Sequence, residues 1–152
     1  MAKALEGVRV LDFTQYLSGP HCTAVLSELG AEIIKIEMPR TGEPERVAMP
    51  MTPKRESYQF LSYNRGKKSI TLNLKDPKGL EIAKKLTAKV DVLVENFAPG
   101  VLERLGLGYE EAKKINPKIK TLPDSGHFPV EPAALAELER AIDEFATGLG
   151  EN

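Results

Sequence analysis

The most constraining feature of the sequence is a strand–helix–strand pattern near its amino terminus. Residues 8–13 are a short, mostly apolar and β-branched run, which is typical of a buried parallel strand. A stretch with helical spacing of its apolar residues follows and ends at Gly30, and residues 31–37 predict a second strand. Ser18 is predicted to cap the helix, with Pro20 in its first turn. Strand, helix and strand in about 30 residues make a βαβ unit, whose two strands lie parallel in one sheet.

The middle of the chain contains one loop and three further elements. Residues 38–55 are rich in proline, glycine and charge without periodicity, which predicts a long loop. A short helix is predicted over 56–63, and the alternation of polar and apolar residues over 68–74 predicts a half-buried strand. Asp76 and Pro77 are predicted to begin a helix, as its N-cap and first residue. The apolar stripe of this helix consists of Leu80, Ala83, Leu86 and Val90.

The last third of the chain continues the alternation. Residues 91–97 predict a strand, and a short helix through about Leu105 follows the segment Ala98-Pro99-Gly100. A second short helix is predicted over 109–115, and a last strand over 118–122. An amphipathic helix is predicted over 131–149. Its apolar face consists of Ala134, Leu135, Leu138, Ala141, Ile142 and Phe145.

Strands that alternate with helices at this spacing predict an α/β fold. We expect a Rossmann-like parallel sheet flanked by helices, with a carboxy-terminal amphipathic helix. The 152 residues suit a single domain. Right-handed crossovers place the carboxyl ends of all the strands at one edge of the sheet, and ligands of such folds bind there.

Composition excludes several function classes. Lys and Arg number 21 against 22 Asp and Glu, so no global positive field exists to attract nucleic acid or an anionic membrane. Cys22 is the only cysteine, and His21 and His127 are the only histidines, which argues against a disulfide and against a metal site. No apolar run approaches the roughly 20 residues of a membrane span, and the first residues lack the apolar centre of a secretory signal. A cytoplasmic protein is the resulting expectation.

Several chemically useful residues follow the predicted strands. They are Gln15, Tyr16, Arg40, Lys75, Asn96 and Phe97, together with Arg104 on the helix after Gly100. Cations, an amide and an aromatic ring at one sheet edge would suit a phosphorylated ligand with a flat base. The N–H groups that begin the helices after Ser18 and Pro99 would add affinity for an anion. The alternative is that Lys75 and Arg104 are solvated surface charges.

Two common nucleotide-binding motifs are missing. The first strand is not followed by G-x-G-x-x-G, the fingerprint of nicotinamide dinucleotide binding. The segment Arg65-Gly66-Lys67-Lys68-Ser69 imitates the end of a P-loop, but it precedes a predicted strand rather than a helix.

Four ordered stretches of sequence carry a resemblance to one family. They are Leu5-Glu6-Gly7-Val8-Arg9-Val10-Leu11-Asp12-Phe13-Thr14 with Ser18-Gly19-Pro20, Leu29-Gly30-Ala31-Glu32-Ile33-Ile34-Lys35-Ile36-Glu37, residues 64–75, and Asp91-Val92-Leu93-Val94-Glu95-Asn96-Phe97-Ala98-Pro99-Gly100-Val101 with Leu105-Gly106-Leu107. They resemble the signatures of the class III CoA-transferases. That family includes formyl-CoA transferases, carnitine-CoA transferases and α-methylacyl-CoA racemases. The resemblance spans residues 5 to about 119.

The resemblance implies a CoA-binding domain of Rossmann-like type, an intertwined dimer, and transfer of CoA between an acyl-CoA and a carboxylic acid. Coenzyme A or an acyl-CoA would be the substrate, without a metal. The positions that match CoA-contacting residues of the family are Leu72, Lys75, Asn96, Phe97 and Arg104, with Arg40 as a phosphate partner.

The chain also departs from the family pattern. Met38 stands where some members have a basic residue, and Leu17 stands where formyl-CoA transferase has a polar residue that assists catalysis. Gln15 and Tyr16 are the nearest substitutes for that residue. No residue matches the catalytic aspartate, because Asp124 lies too early and in different surroundings. We therefore expect no catalysis by this chain alone, with the catalytic half missing or supplied by another chain.

Residues 120–152 form a divergent tail. Leu122-Pro123-Asp124-Ser125-Gly126-His127-Phe128-Pro129-Val130-Glu131 resembles the last strand and catalytic-histidine loop of α/β-hydrolases. No G-x-S-x-G is present, so His127 would have no serine to activate and a loop histidine is expected. The helix over 131–149 is predicted to cover one face of the sheet. Alternatives to a transferase part are a non-catalytic CoA- or nucleotide-binding module, an inactive folded remnant, and the α-methylacyl-CoA racemase lineage.

Overall fold

A computed structural model describes residues 3–123 of the protein. Within these residues, five parallel strands form one sheet. The strands are β1 (Arg9–Asp12), β2 (Glu32–Glu37), β3 (Lys68–Thr71), β4 (Val92–Glu95) and β5 (Lys120–Pro123). Their order across the sheet is β3-β2-β1-β4-β5, with every neighbouring pair parallel. The predicted α/β fold with a parallel sheet is therefore confirmed.

Helices connect the strands. They are α1 (Ser18–Glu28), α2 (Tyr58–Tyr63), α3 (Pro77–Thr87), α4 (Val101–Arg104) and α5 (Tyr109–Ile115). Helix α3 begins as predicted, because the Asp76 side chain accepts a hydrogen bond from the Lys78 N–H at 2.8 Å and Pro77 is the first helical residue. Helix α1 is followed by Gly30 at φ 110°, where a residue without Cβ carries no steric penalty.

The two faces of the sheet have different cores. Because side chains alternate along a strand, Leu11 and Leu93 point to one face, where they pack with residues of α3, α4 and α5. Val10 and Ile33 point to the other face, where they pack with Val94 and with the partly buried Leu26 of α1. The larger cluster includes Leu11, Phe13, Ile36, Leu72, Ala83, Val90, Leu93, Leu102, Leu107, Ala112 and Ile119.

Three local predictions are wrong. Ser18 does not cap α1, because it is the first helical residue and Leu17 holds the N-cap position without a side-chain hydrogen bond. All four residues of β3 are exposed rather than half-buried, because this strand lies at the edge of the sheet. The stretch 38–55 is not an unstructured loop throughout, because Pro44–Val47 form a 3₁₀ helix.

The turn, the His127 loop and the amphipathic helix predicted beyond Pro123 lie outside the described residues. Between residues 3 and 123, no helix is long and apolar enough to cross a membrane.

Candidate functional site

The candidate site lies at the edge where the carboxyl ends of the five strands meet. The loop after β1 carries Gln15 and Tyr16, and the loop after β2 carries Arg40. Asn96 and Phe97 directly follow β4. Ligands of parallel α/β sheets bind at this edge, since the loops there connect strands to helices on opposite faces.

Asn96 ties the loops after β1 and β4 together. Its side-chain Oδ1 accepts a hydrogen bond from the Gln15 N–H at 2.8 Å, and its Nδ2 donates to the Gln15 carbonyl oxygen at 2.7 Å. Gly19 lies close by, and a Cβ there would come within 2.5 Å of the Thr14 side chain and 3.2 Å of Asn96 Cγ. The structure thus brings two of the predicted site residues, Gln15 and Asn96, into direct contact.

The β1–α1 loop contains a strained residue. Tyr16 adopts φ 65°, a left-handed conformation that a residue with a Cβ rarely takes. Its side chain is 58% exposed, and that of the adjacent Leu17 is 55% exposed. The Tyr16 N–H donates to Glu43 Oε1 at 2.8 Å. The backbone of this loop is therefore held by side chains from elsewhere in the chain.

Glu43 and Lys35 form a buried ion pair beneath this loop. Lys35 Nζ lies 2.8 Å from Glu43 Oε2, and both side chains are 1% exposed. Lys35 Nζ also donates to the Thr14 carbonyl oxygen at 2.7 Å. Both charged groups are thus paired and hydrogen-bonded, as buried charges must be.

A second buried pair joins Asp12 at the end of β1 to Lys67, with 3.1 Å between Oδ2 and Nζ. Asp12 also accepts hydrogen bonds from the Thr14 N–H and hydroxyl and from the Thr23 hydroxyl. Lys67 donates further to the Pro20 carbonyl oxygen at 2.9 Å. Burial, aided by the nearby positive charge of Lys35, lowers the pKa of Lys67 to about 8 although Asp12 opposes this change.

A third pair lies at the end of β2, where Glu37 contacts Arg46. The guanidinium Nε and one terminal nitrogen of Arg46 each donate to Glu37 at 2.7 Å, and Ser69 Oγ donates at 2.6 Å. The Glu43 N–H adds a bond of 2.8 Å. Burial alone would raise the pKa of Glu37, but these hydrogen bonds outweigh it and lower the pKa to about 2.

These three pairs are connected, and we call them the buried charge network. It consists of Asp12, Lys35, Glu37, Glu43, Arg46 and Lys67. Three carboxylates face three cations, so the network is balanced in formal charge. Five of its six side chains are buried, Arg46 being the exception, and the network supports the loops of the candidate edge from below.

The cations predicted to contact a ligand are exposed at the same edge or beside it. Arg40 adopts φ 69° in the loop after β2. Lys75 lies in the turn before α3, where its N–H donates to Asn73 Oδ1 at 3.1 Å. Arg104 ends α4, and its guanidinium lies so near Gly100 that a Cβ there would come within 2.9 Å of it. No mutual contact joins these three side chains.

The two predicted apolar contacts differ in accessibility. Leu72 is 7% exposed and belongs to the larger core cluster. Phe97 is partly buried against that cluster, and its N–H donates to Glu95 Oε2 at 2.9 Å. The helix expected to add anion affinity after Pro99 is only the four-residue α4, so its dipole is small. In the part of the chain that the structure describes, no group of three or more His, Cys, Asp or Glu side chains is placed to hold a metal ion.

Sequence reasoning missed the buried charge network. A signal was available in β2, where Lys35 and Glu37 alternate with Ile34 and Ile36 in the largely buried part of the strand. A buried charge requires a partner of opposite sign, so such residues predict an ion pair. Glu43 and Arg46 lie in the segment predicted as a loop, where no periodicity marks them.

The five-stranded parallel sheet with helices flanking it defines a Rossmann-like α/β protein. Residues 5–123 match the family model of CoA-transferase family III. The chain belongs to this family, which the four sequence stretches indicated.

Curated relatives extend the match. Formyl-CoA:oxalate CoA-transferase of Afipia carboxidovorans is 49% identical over 129 residues, which are 85% of this chain and 30% of the relative. Succinyl-CoA:glutarate CoA-transferase of Mus musculus is 46% identical over 147 residues, which are 97% of this chain and 34% of the relative. The chain therefore spans about a third of the length of these relatives.

Solved structures of related proteins share the fold. The structure of Rv3272 from Mycobacterium tuberculosis matches with a TM-score of 0.78 and 39% identity, covering 88% of this chain and 37% of the other. A CAIB/BAIF family protein from Brucella suis matches with a TM-score of 0.75 and 35% identity, covering 81% and 33% of the two chains.

Proposed function

We propose that this chain is the CoA-binding part of a class III CoA-transferase. The observation that carries the proposal is the placement of Arg40, Lys75 and Asn96 on separate loops near the carboxyl ends of the strands. It is made in a chain that belongs to CoA-transferase family III. Cations on different loops suit the spread negative charge of the CoA diphosphate and 3′-phosphate. Leu72, Phe97 and Arg104 complete the proposed contacts.

The reaction we propose for the complete enzyme is transfer of CoA between an acyl-CoA and a carboxylic acid. The relatives named formyl-CoA:oxalate and succinyl-CoA:glutarate CoA-transferase support transfer in preference to racemisation. No residue of the 152-residue chain matches the catalytic aspartate of the family, and Gln15 and Tyr16 are the candidates to substitute for the polar residue expected at Leu17. We therefore propose that it binds CoA without catalysing transfer, with catalysis requiring a partner segment or a second chain in a cytoplasmic dimer.

Thermal unfolding with and without CoA tests this proposal. A ligand at 100 times its Kd stabilises a protein by about 2.7 kcal/mol, so saturating CoA should raise the Tm by several degrees. Arg104→Ala should reduce that rise. Lys89→Ala is the matched control, because Lys89 is exposed and follows α3 near the opposite end of the strands. An unchanged Tm at millimolar CoA would favour the inactive folded remnant instead.

A test of catalysis completes the proposal. The purified chain is incubated with an acyl-CoA and a free carboxylic acid, and the acyl-CoA products are measured by chromatography. We expect no transfer above the rate without protein. Transfer by the purified chain would show that its own residues supply the chemistry. Gln15 and Tyr16 would then be the first residues to mutate.

A further inference from the structure

The β1–α1 loop is held at four consecutive points by side chains of other elements. The Thr14 carbonyl oxygen accepts from Lys35 of β2, and Asn96 binds both backbone groups of Gln15. The Tyr16 N–H donates to Glu43. Thr14 is buried and Gln15 half-buried, so these backbone groups need partners within the protein.

The conformation held in this way is unfavourable by itself. Tyr16 at φ 65° is in a conformation that a residue with a Cβ adopts at an energetic cost, and such a residue persists only when its surroundings fix it. Strain of this kind is found where a segment must present its side chains in one arrangement. Here the result is that Tyr16 and Leu17 are exposed side by side at the ligand edge.

Glu43 is the central member of this support. Its Oε1 accepts from Tyr16, its Oε2 pairs with Lys35, and its N–H donates to Glu37. The residue also belongs to the segment after β2 that carries Arg40. One buried carboxylate thus fixes the β1–α1 loop relative to the loop of a proposed phosphate contact.

We propose that Glu43, acting with Lys35, is a positioning residue that sets the Tyr16 backbone and so pre-forms the ligand edge of the sheet. It does not touch the ligand. This inference rests on the proposed function for its effect on CoA affinity, but its effect on the Tyr16 backbone is independent of any ligand. Pre-formed loops bind more tightly because less ordering remains to be done on binding.

The test compares Glu43→Gln with the wild-type chain. The glutamine side chain keeps one oxygen, which can accept from either the Tyr16 N–H or the Lys35 ammonium. Its NH2 group is a donor and cannot accept from the other one. Glu32→Gln is the matched control, because Glu32 lies on the same strand as Lys35 and pairs with Lys68 at an exposed position. Two quantities are measured, namely hydrogen exchange of the Tyr16 amide without ligand and the Kd for CoA.

We expect Glu43→Gln to reduce protection of the Tyr16 amide at least about tenfold while amides of α3 keep theirs. The Kd for CoA should rise at least about fivefold, a size typical of coupling between sites. Glu32→Gln should change either quantity less than twofold. Glu43→Asp retains the charge for Lys35 with a shorter reach, so it should lie between Glu43→Gln and the wild type, and it carries the test if the glutamine variant does not fold.

Unchanged Tyr16 protection in the folded variants would overturn the positioning role. Reduced protection with an unchanged Kd would also overturn it, because the loop conformation would then not serve binding. If the wild-type chain does not bind CoA, the proposed function fails, while the Tyr16 measurement still decides whether Glu43 fixes the backbone.

Discussion

The two faces of the sheet are stabilised by different physical means. On one face Leu11, Phe13 and Leu93 pack in an apolar cluster with α3, α4 and α5. On the other face the strands begin apolar and end charged, with Asp12 on β1 and Lys35 on β2 side by side in the register. The first face is stabilised by burial of apolar surface and by close packing, both of which depend on side-chain volume and only weakly on pH.

The other face packs Val10, Ile33 and Val94 at the start of its strands, but its charged end depends on ion pairing rather than on side-chain volume. All its charged side chains except Arg46 are buried, so removing one partner of a pair leaves a buried group without its hydrogen bonds. The two faces of the sheet therefore have different roles. The apolar face stabilises the fold by burial of apolar surface, while the charged end of the other face fixes the loops that form the candidate site.

The largest effect is expected from truncation on the apolar face. Phe13 is 1% exposed, and Phe13→Ala should lower the free energy of unfolding by about 3–5 kcal/mol through lost burial and a residual cavity. Urea unfolding of the variant and of the wild type at several pH values measures the loss, which should be nearly constant with pH. A loss below about 1 kcal/mol would show that burial of Phe13 contributes much less to stability than a buried aromatic side chain should.

A smaller and pH-dependent effect is expected on the charged face. Glu37 has a pKa of about 2 in the folded chain, below the ordinary value of 4.5. Its ionised form therefore stabilises the fold above pH 4.5, and this stabilisation is lost as the pH falls from 4.5 towards 2. Glu37→Gln should cost about 2–3 kcal/mol at pH 7. Unfolding curves of variant and wild type should converge on acidification.

The control for this experiment is Glu81→Gln. Glu81 forms an exposed ion pair with Lys85 one turn along α3, and such pairs contribute little to stability. The unfolding curves of this variant should stay close to those of the wild type at every pH. Equal pH dependence of the two variants would contradict a special role for the buried charge network.

The smallest effect should appear at alkaline pH. The pKa of Lys67 is about 8 in the folded chain and 10.5 ordinarily, so the unfolded chain binds more protons between these values. Stability from this group should thus rise as the pH increases from 8 to 10.5. Relative to Lys67→Met, the wild type should gain about 1–2 kcal/mol across this window. The exposed neighbour Lys68 gives a control variant, Lys68→Met, that should show no such difference.

Much of the fold is predictable from local pattern. The helix predicted over 109–115 is observed as Tyr109–Ile115, and Asp76 with Pro77 begins α3 as expected. These features depend on neighbours in sequence. The exposure of β3 was not predictable, because it follows from the position of this strand at the edge of the sheet.

The candidate site is predictable only in part. The topology rule places Gln15 and Asn96 at one edge, and their contact agrees with it. The support beneath them is not predictable, because the partner of Lys35 is a residue of the following loop whose position depends on tertiary packing. The strained backbone of Tyr16 has the same origin, since only its surroundings fix it.

CoA binding at the candidate edge is tested most sharply by calorimetric titration of CoA into the 152-residue chain, with the molecular mass determined in the same sample. We expect saturable binding of one CoA per chain, weakened at least about fivefold by Arg104→Ala and unchanged by Lys89→Ala. Absence of saturable heat at millimolar CoA, with the chain folded, would contradict it.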